Sequence, residues 1–111
     1  MPDYLPVTYT DFRAEYPALA SSLDALASAA DKAGSLSERE RRLVKLGIAM
    51  GGESAGAVRS NVRKALSAGV DAADVRQAAL LAITTAGFPT AIAALSWIDE
   101  VLEAEVSNEE G

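Results

Sequence analysis

The chain has 111 residues, enough for one hydrophobic core and too few for a comfortable second. Half of them are apolar, dominated by alanine and leucine with only two Phe, three Tyr and one Trp, which favours closely packed helices over a β-sandwich. Sixteen acidic against ten basic residues give a charge of −6, which disfavours nucleic acid and anionic membranes as partners, and the absence of cysteine and histidine removes disulfides, thiol nucleophiles, imidazole bases and the two commonest transition-metal ligands.

Residues 1–9 carry Pro2 and Pro6 without any period and are expected to form an N-terminal arm. The main body is expected over 10–106. Thr10 is placed to cap a short helix through Glu15, and Pro17 to open a second helix with Leu19, Leu23, Leu26 and Ala30 on one face and Gly34 in a left-handed position past its end. Ser37 and Glu40 form an S-x-x-E capping box for a third helix, on which Leu43, Val44, Gly47, Ile48 and Gly51 share a face before the Gly51-Gly52 break.

From Glu53 or Ser54 an amphipathic pattern follows, with Ala55, Val58, Val62, Ala65 and Leu66 inside and a stop at Gly69. Asp71 and Asp74 supply a cap and first-turn negative charge to the next helix. Its residues 75–86 are apolar on nearly every side, so it is expected to be central or shared with another subunit. After Gly87-Phe88-Pro89, the residues Ile92, Leu95, Ile98 and Leu102 define the expected buried face of a last helix. The chain from Glu103 is expected to fray into an acidic tail over 107–111. The expected fold is therefore all-α, a single-domain bundle of about six helices. No apolar run approaches the roughly 20 residues that span a bilayer, and Met1-Pro2-Asp3-Tyr4 lacks a secretory pattern, so a cytoplasmic location is expected.

Three strings then act in combination: S-E-R-E-R-R-L-V-K-L from Ser37, N-V-R-K-A-L-S-A-G-V from Asn61, and A-G-F-P-T-A from Ala86. Together they resemble the core of the carboxymuconolactone decarboxylase and alkylhydroperoxidase D superfamily. The resemblance implies its helical fold and a homo-oligomer, either a trimer or a hexamer built as a trimer of dimers. Members of the peroxidase branch carry C-x-x-C-x-x-x-H on the helix aligned with 54–61, and a glutamate one helix earlier. Here Ser54 and Ala57 stand where those cysteines belong, Asn61 replaces the histidine and Arg42 the glutamate. Thiol peroxidase chemistry is excluded, because serine cannot form a disulfide and alanine cannot resolve one. What remains is a diverged lyase or lactone-processing enzyme acting on a small anionic metabolite, or a non-enzymatic oligomeric anion binder or scaffold.

The candidate ligand-binding residues are Arg42, Ser54, Arg59 and Asn61; no catalytic residue, metal or cofactor is assigned. Arg42 and Arg59 suit the forked recognition of a carboxylate, although Arg41, Arg42 and Lys45 also follow Glu38 closely enough for ordinary helical pairing. Ser54 reads as a helix cap or as the donor-rich edge of an anion pocket. Asn61 either orients a ligand or satisfies nearby backbone. Trp97 and Phe88 read as core or interface anchors.

Overall fold

The computed structural model describes residues 7–110, with side chains through Ser107, and every regular element among them is helical. Six helices occur: α1 (Val7–Glu15), α2 (Pro17–Asp31), α3 (Glu38–Gly51), α4 (Ala55–Ser67), α5 (Ala72–Ala82) and α6 (Phe88–Glu110). They fall into two compact units, residues 1–35 and 36–111.

In the first unit, α1 opens at Val7, earlier than expected. The Thr10 hydroxyl lies inside the helix and donates to the Val7 carbonyl at 2.9 Å instead of capping. The remainder of the expected arm, residues 1–6, lies outside the described residues. Pro17 opens α2 as anticipated, since a first-turn proline has no amide to lose. Arg13 ties the two helices by an ion pair with Asp24 and also donates to the Tyr9 hydroxyl at 3.0 Å. Only Ala20 of α2 is buried, and Leu19, Leu23 and Leu26 remain more than half exposed. Gly34 is not left-handed. The last carbonyls of α2 are instead closed by an ordinary helical bond from Lys32 N–H to Ser28 and an i→i−3 bond from Ala33 N–H to Ala30.

The second unit holds the main core, built from Leu46 and Met50 of α3, Val58, Val62 and Ala65 of α4, Val75 and Ala79 of α5, and Ala94, Ile98 and Val101 of α6. Local sequence explains its helix boundaries. The expected capping box forms, with the Ser37 amide donating to Glu40 Oε1 at 2.8 Å and the Glu40 amide to Ser37 Oγ at 3.1 Å. Gly69, at φ 88°, ends α4 in a Schellman motif: Val70 N–H bonds to the Ala65 carbonyl and Gly69 N–H to Leu66, while Val70 itself is buried. Gly87, at φ 110°, makes the turn into α6. Asp71 occupies the N-cap position of α5 but makes no side-chain capping bond, and Asp74 supplies the first-turn charge.

Three expectations about faces are corrected. On α3 the core receives Leu46 and Met50, while Val44 (49% exposed) and Ile48 (69%) from the expected stripe face outward. On α6 Ile98 is buried and Leu95 and Leu102 pack partly buried against the core as expected, but Ile92 is exposed and Ala91, Ala94 and Val101 complete the buried line. Alanine lets the neighbouring backbones come closer than isoleucine would. Within one chain α5 is not central: Val75 and Ala79 are buried, but Leu80 and Leu81 lie more than half exposed. The tail does not fray at Glu103, because α6 continues to Glu110.

Candidate functional site

Ser54, Arg59 and Asn61 all lie on or beside α4, and Arg42 lies on α3, the helix before it. Ser54 is the N-cap of α4, its Oγ accepting from the Ala57 amide at 3.3 Å. The Asn61 side-chain amide donates to the Ala57 carbonyl at 2.8 Å, one turn back along its own helix. Arg59 Nε donates to Glu100 Oε2 of α6 at 2.8 Å, with both side chains partly in solvent. The structural half of each alternative is thus occupied at three of the four positions.

Arg42 differs. It is half-buried and has no hydrogen-bond or ion-pair partner among the described residues. Its neighbour Arg41, in contrast, donates to the Leu36 carbonyl. No hydrogen bond links any two of the four candidates among the described residues, and the described residues hold no acidic cluster suited to a metal ion.

The turn before Ser54 carries the one non-glycine residue with left-handed backbone among the described residues. Glu53 sits at φ 55°, where an ordinary side chain meets its own backbone, and its carboxylate accepts a 2.9 Å hydrogen bond from the Thr90 hydroxyl at the start of α6. That bond pins the entry of α4 to α6. The sequence offered no sign of it, since the partners lie 37 residues apart.

A groove of about 580 Å³ lies elsewhere, between α3 and α5, and none of the four candidates lines it. Its walls are mainly apolar, from Leu43, Val44, Ile48, Ala78, Leu81 and Ala82, with Gly47 and Gly51 along one side. Arg39 of α3 and Asp74 of α5 form an ion pair at one end, and Thr85 stands in the turn beyond α5 at the other. Sequence reasoning saw the α3 half of this groove as a core stripe, and it missed the pairing with α5.

Asp24, held by Arg13, and Glu40, held chiefly by the Ser37 amide, both have carboxyl groups below their ordinary pKa. Neither touches the four candidate positions.

Two further ion pairs bind α6 into the unit, Arg59 with Glu100 and Arg76 with Asp99. No helix among the described residues is long and apolar enough to cross a membrane. Among curated proteins and among solved structures, no significant match to the chain is found. Compared with models of protein families, residues 17–100 match that described as the Carboxymuconolactone decarboxylase family, a span that begins at α2 and so reaches further back than the resemblance read from 36 onward. With most of its length matched, this all-helical chain belongs to the carboxymuconolactone decarboxylase family.

Proposed function

We propose that the protein is a self-assembling binder of a small anionic metabolite, working in the cytoplasm without enzymatic chemistry, with Arg42 as the anchoring cation. The unpartnered, half-buried guanidinium of Arg42 carries this reading. A cation partly withdrawn from water gains most from a carboxylate, which can accept two of its N–H groups at once. The charge of −6 over the whole chain makes a local positive site selective for an anion small enough to enter it. Arg59 is the second ligand, exchanging Glu100 for the bound carboxylate, and Asn61 and the Ser54 end of α4 border the site. The outward apolar faces of α3 and α5 support assembly, as a trimer or a hexamer, through surfaces that one chain leaves uncovered.

The competing reading is a lyase or lactone-processing enzyme. It needs a group that exchanges a proton near neutral pH, and Asn61, in the position of the family's histidine, cannot do so. Calorimetry with succinate and benzoate tests the anion site. Wild-type binding is expected, and Arg42→Ala is expected to weaken it tenfold or more, since a charge-assisted bond contributes about 1.5–3 kcal/mol. Equal affinity in Arg42→Ala would exclude the site. Turnover of an unsaturated lactone by wild type, followed by absorbance, would restore the enzyme.

A further inference from the structure

The ion pairs of Arg13, Arg39, Arg59 and Arg76 are not made alike. Arg13 grips Asp24 with both terminal nitrogens, Nη1 to Oδ1 at 3.1 Å and Nη2 to Oδ2, the forked contact that uses both oxygens of the acid. Arg39 and Arg76 each spend one terminal nitrogen, on Asp74 and Asp99. Of the four, Arg59 alone holds its acid through Nε, with a single bond to Glu100 Oε2 at 2.8 Å. Neither terminal nitrogen of Arg59, nor the other oxygen of Glu100, has a hydrogen-bond partner among the described residues. The end of the guanidinium that suits a forked carboxylate is thus left open.

The two partners also differ in how readily each can move. The Glu100 side chain is 56% exposed and that of Arg59 31%, so the acid reaches water more easily than the cation does. Both backbones are held by the core, Arg59 between the buried Val58 and Val62, and Glu100 between the buried Ile98 and Val101. Separating the pair therefore needs only a change of side-chain rotamer at Glu100, with no movement of α4 or α6.

We propose that Glu100 is an internal competitor for the anion site: in the empty protein its carboxylate holds the place on Arg59 that a ligand carboxylate takes. Two carboxylates on one guanidinium would set like charges side by side, so the arrival of one is coupled to the departure of the other. A ligand that offers both oxygens gains a bond over the single one it replaces, and Glu100 returns to water. Glu100 thereby sets a threshold that a bound acid must exceed. An exposed pair of this kind shifts an equilibrium by no more than about fivefold, so the threshold is low enough for a small acid to pass. The inference rests on the anion site proposed above and adds its regulation.

Calorimetry with succinate on the full chain tests this, with helicity of each variant checked by circular dichroism. Glu100→Gln is expected to bind about two- to fivefold more tightly than wild type, and Glu100→Ala at least as tightly as wild type. Asp99→Asn removes the same charge one residue away, from an acid tied to Arg76, and is expected to bring little gain. In an Arg59→Ala background the gain from Glu100→Gln is expected to vanish. Binding by wild type with no gain in either Glu100 variant would leave the anion site standing and overturn the competitor. An equal gain in Asp99→Asn, or a gain that persists without Arg59, would overturn it too, by showing a general effect of charge. No binding by wild type or by either Glu100 variant would overturn the anion site itself.

Discussion

Arg39 in the first turn of α3 forms an ion pair with Asp74 in the first turn of α5, joining two helix starts that lie 35 residues apart in sequence. Both side chains remain partly in solvent, 52% and 35% exposed, so water screens the pair and its net contribution is at most about 1 kcal/mol. A double-mutant cycle with Arg39→Ala and Asp74→Ala, read by urea unfolding, is expected to return a coupling of that size that shrinks in high salt. A coupling of several kcal/mol would mean the pair is far drier than its exposure shows.

The two apolar stripes of α3 differ in what they support. Leu46 and Met50 have no exposed surface, and truncating either to alanine should cost about 2–5 kcal/mol in unfolding free energy. Ile48→Ala should cost the isolated fold less than 1 kcal/mol, because most of that side chain already faces water. Any larger loss at Ile48 should depend on protein concentration, which denaturant titrations at two concentrations would reveal.

Removing the Ser37 hydroxyl in Ser37→Ala should destabilise α3 by about 0.5–2 kcal/mol, the usual cost of a lost cap. The same motif sets a pH response. The Glu40 carboxyl is held below its ordinary pKa chiefly by the Ser37 amide, so its folded value is depressed. Its stabilising effect is therefore complete above the ordinary carboxylate pKa of roughly 4.3 and is lost as pH falls through the lowered folded value. Glu40→Gln should flatten this part of an unfolding-against-pH curve, and an unaltered acid limb would show that the box contributes nothing there.

Left-handed backbone gives a pair of opposite expectations. Gly69→Ala places a Cβ where φ is 88° and should cost about 1–2 kcal/mol, although open space surrounds the site. Glu53→Gly relieves a similar strain at φ 55° while losing the bond from Thr90, and should change stability by less than about 1 kcal/mol. Thermal unfolding of the two variants side by side would separate backbone strain from loss of contacts.

All residues from Lys32 to Glu40 are exposed, and the division between the two compact units falls among them. Brief trypsin treatment is expected to cut first after Lys32. The larger fragment should keep a cooperative helical melt, since it holds every buried hydrophobic residue except Ala20. A fragment that loses its circular dichroism on cleavage would show that the second unit does not stand alone.

Features decided within one turn of chain were legible in the sequence: the Ser37–Glu40 box, the Ser54 cap, Pro17 at the opening of α2 and the glycine stop at Gly69. The choice between apolar faces was not. On α3 two stripes satisfy helical spacing, and periodicity identifies an apolar face without saying whether the core of the same chain covers it. Alanine misled in the same way on α6, where Ala91 and Ala94 are buried and the larger Ile92 is exposed. At the candidate positions, the residues that replace the family's thiols and histidine could be read off directly, but the bond from Arg59 to Glu100 spans 41 residues and no local pattern announces it.

Because α3 and α5 set out from a shared end, their peptide dipoles reinforce each other, where antiparallel neighbours would cancel. The two first turns hold Glu38, Glu40 and Asp74 together with Arg39, which pairs with Asp74, whereas neither last turn contains a basic residue. The carbonyl ends of both helices are thus left with no cation of their own last turn to offset them.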